Sequence, residues 1–365
     1  MFRPKELARV SLTLDLGAGY SPGMSTKAFI TGIAGTTLDA AERTFIASQR
    51  PWGFILFKRN IDDPTQVAAL IGQLRAARGE PDAPVLIDQE GGRVQRFGPP
   101  HWPIYPPGAA FGRLYDLDLR VGLRAAWLGA RLIADDLLKT GVTVDCLPLA
   151  DVPVPGADAV IGNRAYGTDP TKVAAIARAV TEGLEQGGIL PVLKHIPGHG
   201  RATADTHFRL PVVDTPKDEL ERTDFAAFRP LADLPMAMTA HVVFRAYDGA
   251  HPATTSATMI EQVIRGSIGF QGLLMSDDVS MNALAGSLAE RTRAIFAAGC
   301  DMVLHCNGKM DEMQDVARET PELSGMALER ARRALASRRA PVPFDRKAAR
   351  AELDALIDRL GAADA

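Results

Sequence analysis

The chain has 365 residues, 46% of them hydrophobic and 23% charged, with a formal charge of −3. That balance suits a soluble globular protein with a large core. It lacks the basic run that phosphate-driven nucleic-acid binding requires and any apolar stretch near the roughly 18 residues that span a bilayer, so neither nucleic acid nor membrane is expected as a partner.

Residues 1 to 23 make a poor secretory signal, because their short apolar stretch, Val10 to Leu16, is interrupted by Thr13 and Asp15. Met24-Ser-Thr-Lys27 directly precedes the first good strand, so residues 1–23 are expected to be a poorly packed or non-native extension, and 24–365 a single cytoplasmic domain. From Lys27 onward, apolar strands alternate with helical segments. The strands are predicted at Ala28–Ile33, Gly53–Phe57, Pro84–Asp88, Val142–Leu149, Ile189–Lys194, Met236–His241, Leu273–Asp277 and Asp301–Cys306. Pro191 argues against the fifth, since proline cannot donate to a sheet ladder.

Helical spacing of Val67, Leu70, Ile71 and Leu74 predicts a helix over Asp63–Arg78, and Val173, Ile176, Ala177, Val180 and Leu184 predict another over Thr171–Gly188. A further helix is read from about Leu117 to Thr140. Met326–Arg339 and Arg346–Leu360 read as amphipathic helices covering the outside, the first with a solvated arginine face. Strands buried on both faces and separated by helices imply a parallel sheet, and eight such units an α/β fold: a single-domain (β/α)8 barrel, with an open doubly wound sheet as the alternative. Cys146, Cys300 and Cys306 cannot all pair and follow no zinc spacing, so they read as reduced core thiols.

In such a fold ligands bind at the carboxyl ends of the strands, and the unusual polar residues collect there. Asp88-Gln-Glu-Gly-Gly-Arg-Val-Gln-Arg96 follows the third strand. Asp151 and Ile161-Gly-Asn-Arg164 follow the fourth, and Lys194-His-Ile-Pro-Gly-His-Gly200 ends the fifth. His241 ends the sixth, Ser276-Asp277-Asp278 the seventh and His305 the eighth. Each has a purely local explanation: a turn at Gly91-Gly92, a helix cap at Asp277 or Asp278, a backbone-satisfied core histidine at His241 and His305. For Asp88, Lys194, His195 and Asp277, convergence on one barrel mouth favours function over that explanation.

Asp205 and His207 stand two apart in the loop after the fifth strand, where a carboxylate can orient an imidazole and make it a proton shuttle. One carboxylate together with a carboxylate-assisted histidine suits hydrolysis of a hydroxyl-rich substrate through a covalent intermediate. In that chemistry Asp277 attacks an anomeric carbon, and His207, held by Asp205, protonates the leaving oxygen. Gly198 and Gly200 are expected to let the loop open and close.

These motifs, Lys194 to Gly200 with Asp205-Thr-His207, Asp88 to Arg93, and Ser276-Asp277-Asp278, resemble the bacterial β-N-acetylglucosaminidases of glycoside hydrolase family 3. The likeness runs from about Lys27 to Gly308, with Ile196 where a phenylalanine is common. It implies a barrel, a retaining mechanism without metal or cofactor, and release of terminal β-1,4-linked N-acetylglucosamine from anhydro-muropeptides in cytoplasmic peptidoglycan recycling. It further implies Asp277 as nucleophile, His207 as acid/base with Asp205 its partner, and Asp88, Arg96, Arg164, Lys194 and His195 as sugar-holding residues. A monomer acting on a small sugar substrate is expected. The rivals are a phosphorylase using inorganic phosphate, a metal-dependent barrel hydrolase drawing on the clustered histidines, and a non-catalytic sugar-binding barrel.

Overall fold

The structure, a computed structural model, describes residues 25–202 and 210–363. Residues 1–23, Asp205 and His207 lie outside them. Eight parallel strands close into a barrel: β1 Lys27–Thr31, β2 Pro51–Leu56, β3 Val85–Ile87, β4 Val144–Asp145, β5 Leu190–Ile196, β6 Met236–Thr239, β7 Leu273–Asp278 and β8 Met302–His305. Each pairs with its neighbours in sequence, and β8 returns to β1 through Phe29 opposite Val303 and Ile30 opposite Leu304. That last pairing closes the barrel and excludes the open sheet.

Strand alternation divides the core in two. Ala28, Ile30, Ile55, Leu86, Val144, Val192, Met238, Met275 and Leu304 form the inner cluster, while Phe29, Phe54, Val85, Ile87, Leu193, Leu274 and Val303 join the helices in the outer one. Pro191 lies within β5 after all. The amides of Leu190, Val192 and Lys194 donate to Thr143, Leu147 and Pro148 on the β4 side. The nitrogen of residue 191 therefore faces β6, where pairing begins only at Val192 with Met236, and no ladder bond is lost.

Helices α1 Ala40–Gln49 and α2 Pro64–Arg78 start where their sequences direct. Asp39 and Glu42 form a capping box, and Asp63 accepts from the amides of Thr65 and Gln66 ahead of Pro64. The predicted apolar face of α2, from Val67 to Leu74, is buried. The helix read from about Leu117 to Thr140 is α4 Leu119–Thr140, and a further helix, α3 Gly108–Leu117, precedes it. Asp118 is extended (φ −160, ψ 117); its amide donates to Leu114 O at the end of α3, and its side chain caps α4 through the amides of Arg120 and Val121. Helix α5, Pro170–Gln186, buries Val173, Ile176, Ala177, Val180 and Leu184 as predicted.

The C-terminal arginines differ from expectation. In the helix Gly325–Ala336, Arg330 pairs with Asp301 at 2.8 Å and Arg333 donates to the Gln271 carbonyl, while beyond it Arg338 donates to Gly188 O at 2.9 Å. The run fastens this segment to the barrel rather than forming a merely solvated face. Helix Arg346–Ala363 lies over α4, where Arg346 reaches Asp135 and Asp136 at 2.7 Å and Arg124 grips Glu352 with two bonds of 2.7 Å. Among the described residues no helix is long and apolar enough to cross a membrane.

Candidate active site

A cleft of about 340 Å³ opens at the carboxyl ends of the strands. Asp88, Arg96, Arg164, Lys194, His195 and Asp277, separated by up to 189 positions from Asp88 to Asp277, all line it. Ile55, Phe57, Met238, Met281 and Leu304 form its apolar wall, a combination of apolar lining and a few convergent polar groups that suits a small ligand.

Past β3 the chain makes a short antiparallel ribbon, Gln89–Gly91 against Val94–Gln95. Gln89 anchors it: its amide donates to Asp145, and its side chain accepts from the amides of Arg96 and Phe97 and donates to Phe97 O. Gly91 (φ 91) and Gly92 (φ 58) turn the ribbon in a left-handed conformation. A Cβ at Gly91 would lie 2.4 Å from Pro106 O, so only glycine fits there.

The two-residue period puts Asp88 and Glu90 on the same side, where the end of β5 meets them. Lys194 Nζ lies 2.8 Å from Asp88 and 2.7 Å from Glu90. Arg96 pairs with Asp88 at 3.0 Å, and Arg164 takes Glu90 in a two-pronged contact, both bonds 2.8 Å. Burial alone would raise the pKa of either carboxyl, yet Lys194 with Arg96 holds Asp88 well below the usual range and Lys194 with Arg164 lowers Glu90. Burial would lower Lys194, but the two carboxylates raise it above its ordinary value. Lys194 is 2% exposed, so a buried cation sits here between its counterions.

His195 is held from behind by Asp151, Nδ1 to Oδ2 at 2.7 Å, while the other Asp151 oxygen accepts the His199 amide at 2.7 Å. Burial would raise Asp151, but His195 and that amide bring it to about 2. An anionic Asp151 demands a proton on Nδ1, which fixes the orientation of the ring lining the cleft. His199 is pushed down to about 4 by burial and by His195, and its Nδ1 has no partner among the described residues, so it is a neutral imidazole near neutrality.

Asp277 and Asp278 end β7 and are treated differently. Asp278 is engaged, accepting from Ser280 N and Oγ and from Cys306 N at 3.0, 2.7 and 3.1 Å. Asp277 accepts only the amide of Asp278, at 2.8 Å through Oδ1, which leaves Oδ2 without a partner among the described residues. Although burial would raise its pKa, His241, His195 and the Asp278 amide hold it below the ordinary value.

His241 and His305 are fully buried. His241 bridges Thr254 Oγ1 (2.7 Å) and Asp278 O (3.0 Å), and His305 approaches Glu312 at 3.4 Å. His241 follows the reading of a core histidine satisfied by backbone and braces the peptide that carries the two aspartates, whereas His305 is buried but meets a side chain instead, its Nδ1 without a partner among the described residues. Two expectations are corrected in part, at Gly200 and at Cys306. Gly198 and Gly200 are buried, and a Cβ at Gly200 would lie 2.1 Å from Val152 O, so Gly200 serves close backbone packing rather than a hinge. Cys146 and Cys300 are buried, whereas Cys306 is half-buried and lines the cleft.

Sequence reasoning assigned no role to Glu90, Asp151 or His199. The alternation of Asp88 and Glu90 in an extended segment was the available signal for the first. For Asp151 it was only its place at a strand end. Among the described residues, no three His, Cys, Asp or Glu side chains group as a metal ligand set.

A parallel barrel whose mouth gathers carboxylates and a buried cluster of charged groups in one cleft suits a barrel glycoside hydrolase. The chain belongs to glycoside hydrolase family 3: residues 26–335 match the glycosyl hydrolase family 3 N terminal domain. It is 40% identical to the beta-hexosaminidase of Alkalilimnicola ehrlichii over 280 residues, 76% of this chain and 79% of that one. Among solved structures it is similar to NagZ from Neisseria gonorrhoeae in complex with zinc ion (TM-score 0.81, 30% identity, 92% of this chain and 100% of that one). It is also similar to the same protein in complex with N-trifluoroacetyl-D-glucosamine (TM-score 0.79, 31% identity, covering 93% and 98%).

Proposed function

We propose that this glycoside hydrolase is a retaining β-N-acetylglucosaminidase whose residues 24–365 form one catalytic domain. It removes terminal β-1,4-linked N-acetylglucosamine from anhydro-muropeptides during peptidoglycan recycling in the cytoplasm. Asp277 Oδ2 attacks the anomeric carbon while the Asp278 amide holds Oδ1, and the depressed pKa keeps the nucleophile ionised at neutral pH. His207, oriented by Asp205, protonates the departing oxygen and then deprotonates the water that releases the sugar. Asp88, Arg96, Lys194 and His195 bind the hydroxyls. Arg164, which also lines the cleft, binds the sugar with them and in addition holds Glu90 against Lys194.

The observation that carries this reading is the division of labour at the end of β7: Asp278 is committed to the backbone turn, and Asp277 is the carboxylate with an unoccupied oxygen in the cleft. The relative that binds N-trifluoroacetyl-D-glucosamine supports the choice of sugar. Incubation with a slow 5-fluoro-N-acetylglucosaminyl substrate followed by peptide mass spectrometry tests it. Label on Asp277 is expected, and label elsewhere refutes the assignment.

A further inference from the structure

Arg96 and Arg164 both line the cleft, yet they are held in different ways. Arg164 takes Glu90 with two bonds, whereas Arg96 makes one side-chain hydrogen bond among the described residues, from Nη2 to Asp88 at 3.0 Å. Its Nε is buried and has no partner among them. A guanidinium is a rigid plane of N–H donors, and one bond at one corner leaves that plane free to turn.

The neighbour that can fix it is aromatic. The Arg96 guanidinium carbon lies over the Phe57 ring, 5.2 Å from its centroid, within the range of a cation–π contact. Phe57 is half-buried in the cleft wall and is firmly carried. Its amide donates to Asn60 Oδ1 at 2.9 Å, and the fully buried Asn60 donates in turn to the carbonyls of Ile33 and Gly35 at 3.1 and 2.8 Å, which fastens the turn after β2 to the one after β1. A second guanidinium, that of Arg59, lies 4.9 Å from the same centroid. Arg59 does not need the ring to hold its place, because it donates to Ile33 O at 2.9 Å and to Cys306 O. A Cβ at Gly32 would stand 2.9 Å from its Nη2, so it is confined on that side as well. The anchored Arg59 therefore braces the ring over which Arg96 lies.

We propose that Phe57 is a positioning residue for the glycosidase reaction: its ring, braced by Arg59, fixes the plane of the Arg96 guanidinium so that the donors Asp88 leaves free are presented to the sugar. A π face suits this task because it holds the cation without using an N–H, and every remaining donor stays available to a hydroxyl. A carboxylate in its place would grip Arg96 more tightly but occupy those donors. The proposal rests on the reading of Arg96 as a sugar-binding residue, and it adds a side chain without polar atoms on which that binding depends.

A double-mutant cycle on the full chain tests this, with KM and kcat read on a nitrophenyl N-acetylglucosaminide. Phe57→Leu keeps apolar bulk and removes the π face; it should raise KM about fivefold, the scale of one partly exposed cation–π contact, with kcat within about twofold. Phe57→Tyr, which retains the face, should recover most of that loss. Arg96→Gln alone should raise KM at least about tenfold, as loss of a charged hydrogen-bond donor does, and in that background Phe57→Leu should change KM by less than about twofold. Phe57→Met replaces the leucine variant if the latter has a lowered urea midpoint. An unchanged KM in Phe57→Leu, or equal impairment of the leucine and tyrosine variants, overturns the positioning role. The same loss in both backgrounds overturns it too, because the ring then acts on the sugar or the fold independently of Arg96. An unchanged KM in Arg96→Gln refutes instead the reading of Arg96 as sugar-binding, and the proposal falls with it.

Discussion

Lys194→Met removes a buried charge while keeping most of the side chain's volume, which makes the central cluster the most exacting place to test the electrostatic reasoning. Lys194 is 2% exposed and contacts two carboxylates, at 2.8 and 2.7 Å, so solvent cannot replace it. Without it Asp88 and Glu90 face each other with only Arg96 and Arg164 to compensate. Breaking a buried pair costs about 3–5 kcal/mol, mostly because the surviving charge is stranded.

The pH dependence carries a definite sign. In the wild type both carboxyl pKa values are depressed, so their contribution is present above the unfolded value and is lost as pH falls through the folded one. In the variant one carboxyl is raised above its unfolded value instead. Its stability deficit should therefore shrink as pH falls from about 7.5 to 5.5, as that group takes up a proton. Urea unfolding at the two pH values measures this, and adding Glu90→Gln should recover part of the loss at the higher pH. A deficit below about 1 kcal/mol, equal at both pH values, would refute the reasoning.

Further outcomes follow from the site. Asp277→Ala should lower kcat at least about a thousandfold with an unchanged urea midpoint, because the side chain is half-buried and makes a single hydrogen bond. His207→Ala should slow a natural disaccharide far more than a dinitrophenyl glycoside, whose leaving group needs no proton; equal losses would remove the acid role. The acid limb of kcat/KM on an activated aryl glycoside should fall below 3.8, the ordinary value for Asp277, since activity disappears only as that depressed carboxyl gains its proton. Dialysis against a chelator should leave the rate intact, and product analysis in phosphate buffer should find the free sugar rather than its 1-phosphate. A chelator-sensitive rate revives the metal-dependent rival, and a 1-phosphate the phosphorylase.

The eight strands could be read from the chain because each is buried on both faces and so appears as an apolar run bounded by polar turns. The polar residues at their ends could be read as one site for the same reason, since parallel strands deliver all their carboxyl ends to one rim. Asp88, Arg96, Arg164, Lys194, His195 and Asp277 meet there as expected. What local pattern could not reveal is pairing. The anchoring of Arg330 on Asp301 and the packing of Gly200 against Val152 each depend on a partner that spacing does not specify.

By itself the sequence determined which residues could carry the chemistry, because residue type and strand-end position are local properties. Only the tertiary structure decided which of them are free to act. Asp277 and Asp278 are identical in kind, adjacent in the chain and both in the lining of the cleft, yet Cys306, 28 positions beyond Asp278, is among the groups that engage the Asp278 carboxylate, while Asp277 accepts only one amide among the described residues. Lys194 owes its charge at 2% exposure to Asp88 and Glu90, which lie more than 100 positions earlier and become its counterions only when the barrel closes. A buried charge is tolerable only beside its partner, and that proximity is a property of the fold.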